Sequence, residues 1–145
     1  MRKLIVLGGL AALGAAVLAT PASASFDHHF AVIAKAQSGR FVGDKFRFKD
    51  RLVDPENRSD KVGRDWGWCK ARPHTRRLKC QGLIHLNGKI GGFGNIRVRG
   101  NIGRDDNRLS VVGGTKDFNG VAGKLLLHNQ GRNGPRQRFH FDLTR

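Results

Sequence analysis

Acidic residues are scarce in this chain of 145 residues: 11 Asp and Glu stand against 27 Lys and Arg, and Glu56 is the only glutamate. It sits in the turn-like run Asp54-Pro55-Glu56-Asn57, so the Glu/His/Arg or metal and carboxylate set of a basic nuclease cannot be assembled around it. Gly-x-Ser-x-Gly is absent, and no His is tied to a Ser or Cys by a motif, which leaves nucleophilic catalysis without support. Gly-Lys-[Ser/Thr] is absent as well, so the glycines do not form a phosphate-binding loop. The two cysteines lack Cys-x-x-Cys spacing and an ordered set of His partners, which argues against a zinc site. No long run has helical spacing, and no apolar run reaches the roughly 20 residues that span a bilayer.

The longest apolar run, Leu4 to Ala19, follows Arg2 and Lys3 and breaks at Thr20-Pro21 before the small residues Ala22-Ser23-Ala24. This is the pattern of a secretory signal peptide over residues 1–24, leaving residues 25–145 as a single domain of a secreted protein with no transmembrane segment. Without Arg2 and Lys3 the remaining 25 Lys and Arg against 11 acids give a net charge of +14. Such an excess attracts polyanions such as nucleic acid, cell-wall polymers or anionic membrane surfaces, without choosing among them. In an oxidising compartment Cys69 and Cys80 are expected to form one disulfide.

Period two dominates the rest. Phe30, Val32 and Ala34 alternate with Ala31 and Ile33, Phe46 and Phe48 with lysines and arginines, Ile96 and Val98 with Arg97 and Arg99, and Phe139 and Phe141 with Arg138 and His140. Polar and glycine-rich clusters at 37–39, 54–60, 87–88, 91–92, 103–107 and 129–135 separate these runs. About eight short strands of this kind form an all-β barrel or sandwich. If Phe46 and Phe48 point inward, Asp44 and Asp50 share their face, where a carboxylate serves as acid, base, ligand anchor or salt-bridged rim residue. A cross-strand disulfide needs both cysteines on one face, which turns Cys69 inward and Trp66 and Trp68 outward as an oligomer-contact strip; a bulge would reverse that parity. Residues 107–127, NRLSVVGGTKDFNGVAGKLLL, read as two strands around a corner with Gly113, Gly114, Gly120, Gly123 and a buried Phe118.

In order along the chain stand Gly43-Asp44 with Phe46 and Phe48, Leu52-Val53-Asp54, Lys61-Val62-Gly63, Cys69, Cys80-Gln81-Gly82, Val111-Val112-Gly113-Gly114-Thr115, Phe118-Asn119-Gly120-Val121-Ala122-Gly123 and Phe139-His140-Phe141-Asp142-Leu143. Over residues 41–143 this series resembles the allene oxide cyclase and dirigent-protein superfamily, and especially its small secreted bacterial members. The resemblance implies an eight-stranded antiparallel β-barrel with an apolar cavity, often trimeric, which holds a small apolar molecule in one conformation. In plant members the cavity steers cyclisation or coupling, and no cofactor is expected for this chain. Candidate cavity residues are Phe46, Phe48, Ile84, Val111, Phe139 and Phe141, and Asp44 is the candidate catalytic group. The plant proteins' tyrosines and the cyclase's glutamate have no counterparts in this chain.

Two further patterns bear on partners. Arg72, Arg76 and Arg77, with His74 and Lys79, crowd the segment between the cysteines, and Arg97 and Arg99, with Arg104 and Arg108, form a second basic strip; both are candidate polyanion contacts. Asp27-His28-His29 is a compact metal-like cluster, but cleavage after Ala24 leaves His28 fourth and spoils an amino-terminal copper geometry, so no metal is expected. A ligand-holding barrel, a basic module for anionic polymers and an oligomer-forming structural protein are the three functional classes left.

Overall fold

A computed structural model describes residues 27–104, 107–130 and 136–145; the expected signal peptide lies outside the described residues. Eight strands follow one another: β1 (Asp27–Val42), β2 (Lys45–Val53), β3 (Lys61–Ala71), β4 (Leu78–Asn87), β5 (Phe93–Ile102), β6 (Arg108–Gly114), β7 (Ala122–Asn129) and β8 (Arg136–Thr144). Each pairs antiparallel with its neighbours in the chain, and β8 pairs with β1, closing the barrel. Among the described residues every strand is paired on both sides.

The alternation explains what fills the barrel. Val32, Leu52, Val62, Ile84, Leu86, Ile96, Val98, Leu125, Phe139, Phe141 and Leu143 project inward, while the intervening cations face water. One end is sealed by aromatic packing: Phe30 stacks on Phe141 with ring centroids 4.5 Å apart, and its ring lies 6.4 Å from that of Phe118. Phe118 belongs to a single 3₁₀ turn, Lys116–Phe118, and is fully buried. The turn is tied to the start of β5, where Asp117 Oδ2 accepts from the Phe93 amide (2.8 Å) and Thr115 Oγ1 from the Asn95 amide (3.1 Å). The glycine corner is obligatory here: Gly123 has φ +139°, and a Cβ on it would collide with the Asp142 carbonyl.

Loop 54–60 folds back along the outside, where Lys35 Nζ donates to the Arg58 carbonyl at 2.9 Å and Arg51 Nη2 to that of Ser59 at 3.3 Å. Glu56 remains in this loop and its amide donates to Asp54 Oδ1 at 2.7 Å.

Cys69 and Cys80 are register partners on β3 and β4 and are joined by a disulfide. The parity is the unbulged one, so Trp66 and Trp68 face outward, with Lys45 Nζ 4.4 Å from the centre of the Trp68 ring. The bridge closes a short loop, for which chain entropy predicts about 2–3 kcal/mol of stabilisation. The double substitution Cys69→Ala, Cys80→Ala is expected to lower unfolding free energy by about that amount in urea titrations. An unchanged midpoint would mean that the bridge contributes nothing to stability.

Candidate ligand cavity

Between the sealed end and the opposite rim lies a cavity of about 760 Å³, in the range of small-molecule sites. Its mouth is framed by the β1–β2 hairpin, by Ala71 and Leu78 where β3 ends and β4 begins, and by Ile102, Asn129 and Gln137. The wall is mostly apolar. Phe46, Phe48, Ile84 and Phe139 line it, together with Ala34, Val98, Leu125 and the disulfide itself. Val111 and Phe141 do not reach it: both are buried in the core, with Phe141 committed to the aromatic seal by its stack on Phe30.

Space is made by small side chains. Gly67 and Gly82 are register partners, and a Cβ on Gly67 would lie 2.8 Å from the ring of Phe48. Glycine at this point leaves room for the Phe48 ring.

Asp44 stands at the lip. Its side chain is largely exposed and accepts from Lys70, and that hydrogen bond holds the carboxyl below the usual carboxylate range. An ionised, paired carboxylate of this kind is a poor proton donor. The carboxylates able to hold a proton lie deeper. Asp50 and Asp65 face each other across β2 and β3, and both line the cavity. Asp65 is 3% exposed, the only charged residue so buried among the described residues, and its Oδ1 has no hydrogen-bond partner among them. Burial, with the adjacent Asp50 charge adding to it, pushes Asp65 up to about 8; burial also raises Asp50. Near neutrality the pair therefore retains a proton at Asp65.

Asp50 is legible from the alternation of β2, whereas Asp65 stands outside the motifs of its strand. The signal was present: Asp65, Gly67 and Cys69 share one parity, so an inward Cys69 carries Asp65 inward with it.

The cationic candidates occupy two regions. Arg72, Arg76 and Arg77 sit in the β3–β4 connection at the mouth, whereas Arg97 and Arg99 lie on the outer wall opposite Leu83 and Gln81. On that wall Arg47, Trp68, Gln81 and Arg99 form one cross-strand row, and Lys49, Trp66, Leu83 and Arg97 the next, with no acid in either. The metal-like cluster splits: His28 Nε2 is 2.7 Å from the Gly91 carbonyl oxygen, while His29 lies 3.0 Å from Asp27 and 3.4 Å from Asp142 on the surface. No helix of the described residues is long and apolar enough to cross a membrane.

The eight strands thus form a closed antiparallel meander around an apolar cavity. Solved structures share that fold. The chain is similar to a pyocyanin demethylase (TM-score 0.60, 22% identity, 80% of this chain and 99% of the other). It is also similar to two pterocarpan synthase dirigent proteins, GePTS1 (TM-score 0.63, 14% identity, 83% and 84% covered) and PsPTS1 (TM-score 0.61, 14% identity, 84% and 94% covered). At these identities the likeness is one of fold. No family model matches the chain, and no curated protein matches its sequence.

Proposed function

We propose that this protein is an exported barrel that takes a small apolar molecule into its cavity and uses the Asp50 and Asp65 pair to hold and lend a proton. The observation that carries this reading is the buried, unpartnered Oδ1 of Asp65 on an otherwise apolar wall. A neutral carboxylic acid in such a place donates a hydrogen bond or a proton to a bound oxygen or nitrogen, and low local polarity strengthens the interaction. Asp50, the register partner of Asp65 and the less buried of the two, carries the negative charge that stabilises developing cationic character on the ligand. In a ring closure the proton lent at one atom is recovered from another, so the pair ends as it began. The apolar wall supplies the remainder by restricting conformers. Dirigent proteins and a demethylase on the same fold support a ligand-holding role.

The test is thermal unfolding with a panel of apolar ligands at low and high salt. Saturating ligand at about 100 times Kd is expected to add about 2.7 kcal/mol, unaffected by salt. Ala34→Phe, which places a ring in the cavity, is expected to remove that gain while the barrel still melts cooperatively. Stabilisation that persists in this variant would place the ligand elsewhere.

A second reading, a basic module for anionic polymers, is favoured by the acid-free outer rows carrying Arg47, Lys49, Arg97 and Arg99. It predicts heparin or oligonucleotide binding that falls steeply with salt and weakens in Arg97→Ala, Arg99→Ala.

A further inference from the structure

The rim of the cavity carries apolar groups where a water-facing opening needs none. Among the described residues β1 pairs with β8 as far as Lys35 and with β2 as far as Val42. The β1–β2 hairpin stands at the open end of the cavity. At its tip Phe41 is 76% exposed and Val42 43%, with Phe46 packed at 5.3 Å between ring centroids. Leu78 is 41% exposed at the start of β4. These are four of the seven large apolar side chains exposed among the described residues, and Phe41, Phe46 and Leu78 also line the cavity. One apolar surface thus runs from the hairpin tip into the barrel.

Cations surround this lip. Arg40 and Lys45 flank the hairpin tip, Arg72, Arg76 and Arg77 fill the β3–β4 connection, and Lys79 follows Leu78. Asp44 is the one acid of the lip among the described residues, and Lys70 neutralises it.

We infer that this end of the barrel docks on an anionic lipid surface and that the cavity exchanges its apolar ligand with the lipid phase. The docking stands on the lip alone; the exchange rests on the proposed ligand-holding function. Apolar tips inserted at the boundary between headgroups and acyl chains leave water, while the surrounding cations meet anionic headgroups. Apolar patch and positive ring together fit a membrane interface better than a soluble polyanion, which would engage the cations and leave Phe41 and Val42 in water. A second copy of this chain fits poorly, because a two-fold contact through the lip would bring the two cationic rings together.

The experiment is flotation of the oxidised protein with vesicles of phosphatidylcholine alone or containing one third phosphatidylglycerol, with and without soluble polyphosphate. Partition onto the anionic vesicles is expected to exceed that onto neutral ones by about tenfold or more. Phe41→Asp with Val42→Asp, at an exposed hairpin tip, is expected to reduce it about tenfold with the melting profile retained. Lys89→Ala with Lys124→Ala, two exposed cations towards the sealed end, is expected to leave it unchanged. Absence of flotation overturns the inference. So does flotation that polyphosphate abolishes and the hairpin variant leaves intact, which would mark a general polyanion surface.

Transfer of N-phenylnaphthylamine from preloaded vesicles separates the two layers. Vesicle docking by the wild type and by Ala34→Phe, with probe uptake only by the wild type, supports both. Docking without uptake by the wild type overturns ligand exchange and the cavity function while docking stands. Uptake without docking overturns docking and leaves the cavity function.

Discussion

Replacing Asp65 by asparagine is expected to make the barrel more stable at pH 8, by on the order of a few kcal/mol at about 1.4 kcal/mol per pKa unit. In the folded barrel Asp65 keeps its proton up to about pH 8, whereas in the unfolded chain an ordinary aspartate loses it near pH 4. Between those values the folded state holds the extra proton. Stability contributed by this group is therefore present at low pH, falls as pH rises through the window and levels off above about 8. Asparagine keeps the shape and cannot ionise, so the variant loses that part of the slope. Asp50, also raised by burial, leaves a smaller slope of the same sign. Urea titrations at pH 5 and pH 8 measure the difference. A wild type equally stable at both pH values, or an Asp65→Asn barrel weaker at pH 8, would show that the carboxylate is paired and structural. The expected result identifies Asp65 as a residue maintained at a cost to stability, the common mark of a functional group.

Phe118→Ala is expected to have the second large effect, a loss of about 3–5 kcal/mol. Phe118 is completely buried at the sealed end, beside Phe30 and against Gly114, where a Cβ would already crowd it. Its removal leaves a void that the tied 3₁₀ turn cannot collapse to fill. Phe46→Ala, the same deletion at the half-open lip, is expected to cost under about 1 kcal/mol because its ring already faces solvent and cavity. Chemical denaturation of the two variants gives the comparison. A Phe118→Ala loss below about 1 kcal/mol would mean that the sealed end is loosely packed.

The alternation of Phe46, Phe48, Ile96, Val98, Phe139 and Phe141 with charged residues was enough to read strands and their inner faces, and the ordered motifs indicated an eight-stranded antiparallel barrel. Parity assigns a face but not a depth. Phe139 and Phe141 share one face, yet the first borders the cavity and the second seals its floor, a difference set by position along the barrel axis. Register is equally hidden. That Asp50 stands opposite Asp65 depends on pairing through an irregularity at Leu52 and Val53, which no local pattern in either strand announces. Asp44 lies in a recognisable motif, whereas the deeper acid lies between Arg64 and Trp66, whose side chains turn the other way.

The β1–β8 seam also imposes an order of events on folding. Every other pairing joins neighbours in the chain and can form as a hairpin while synthesis proceeds. The seam pairs Asp27 with Thr144, nearly the whole described chain apart. The first strand made thus waits with one edge unsatisfied until the last is released, and in that interval it is open to pairing with other chains. Crowding of nascent copies should therefore favour strand-exchanged assemblies joined at this seam over any other, with the eighth strand of one chain completing the first of another.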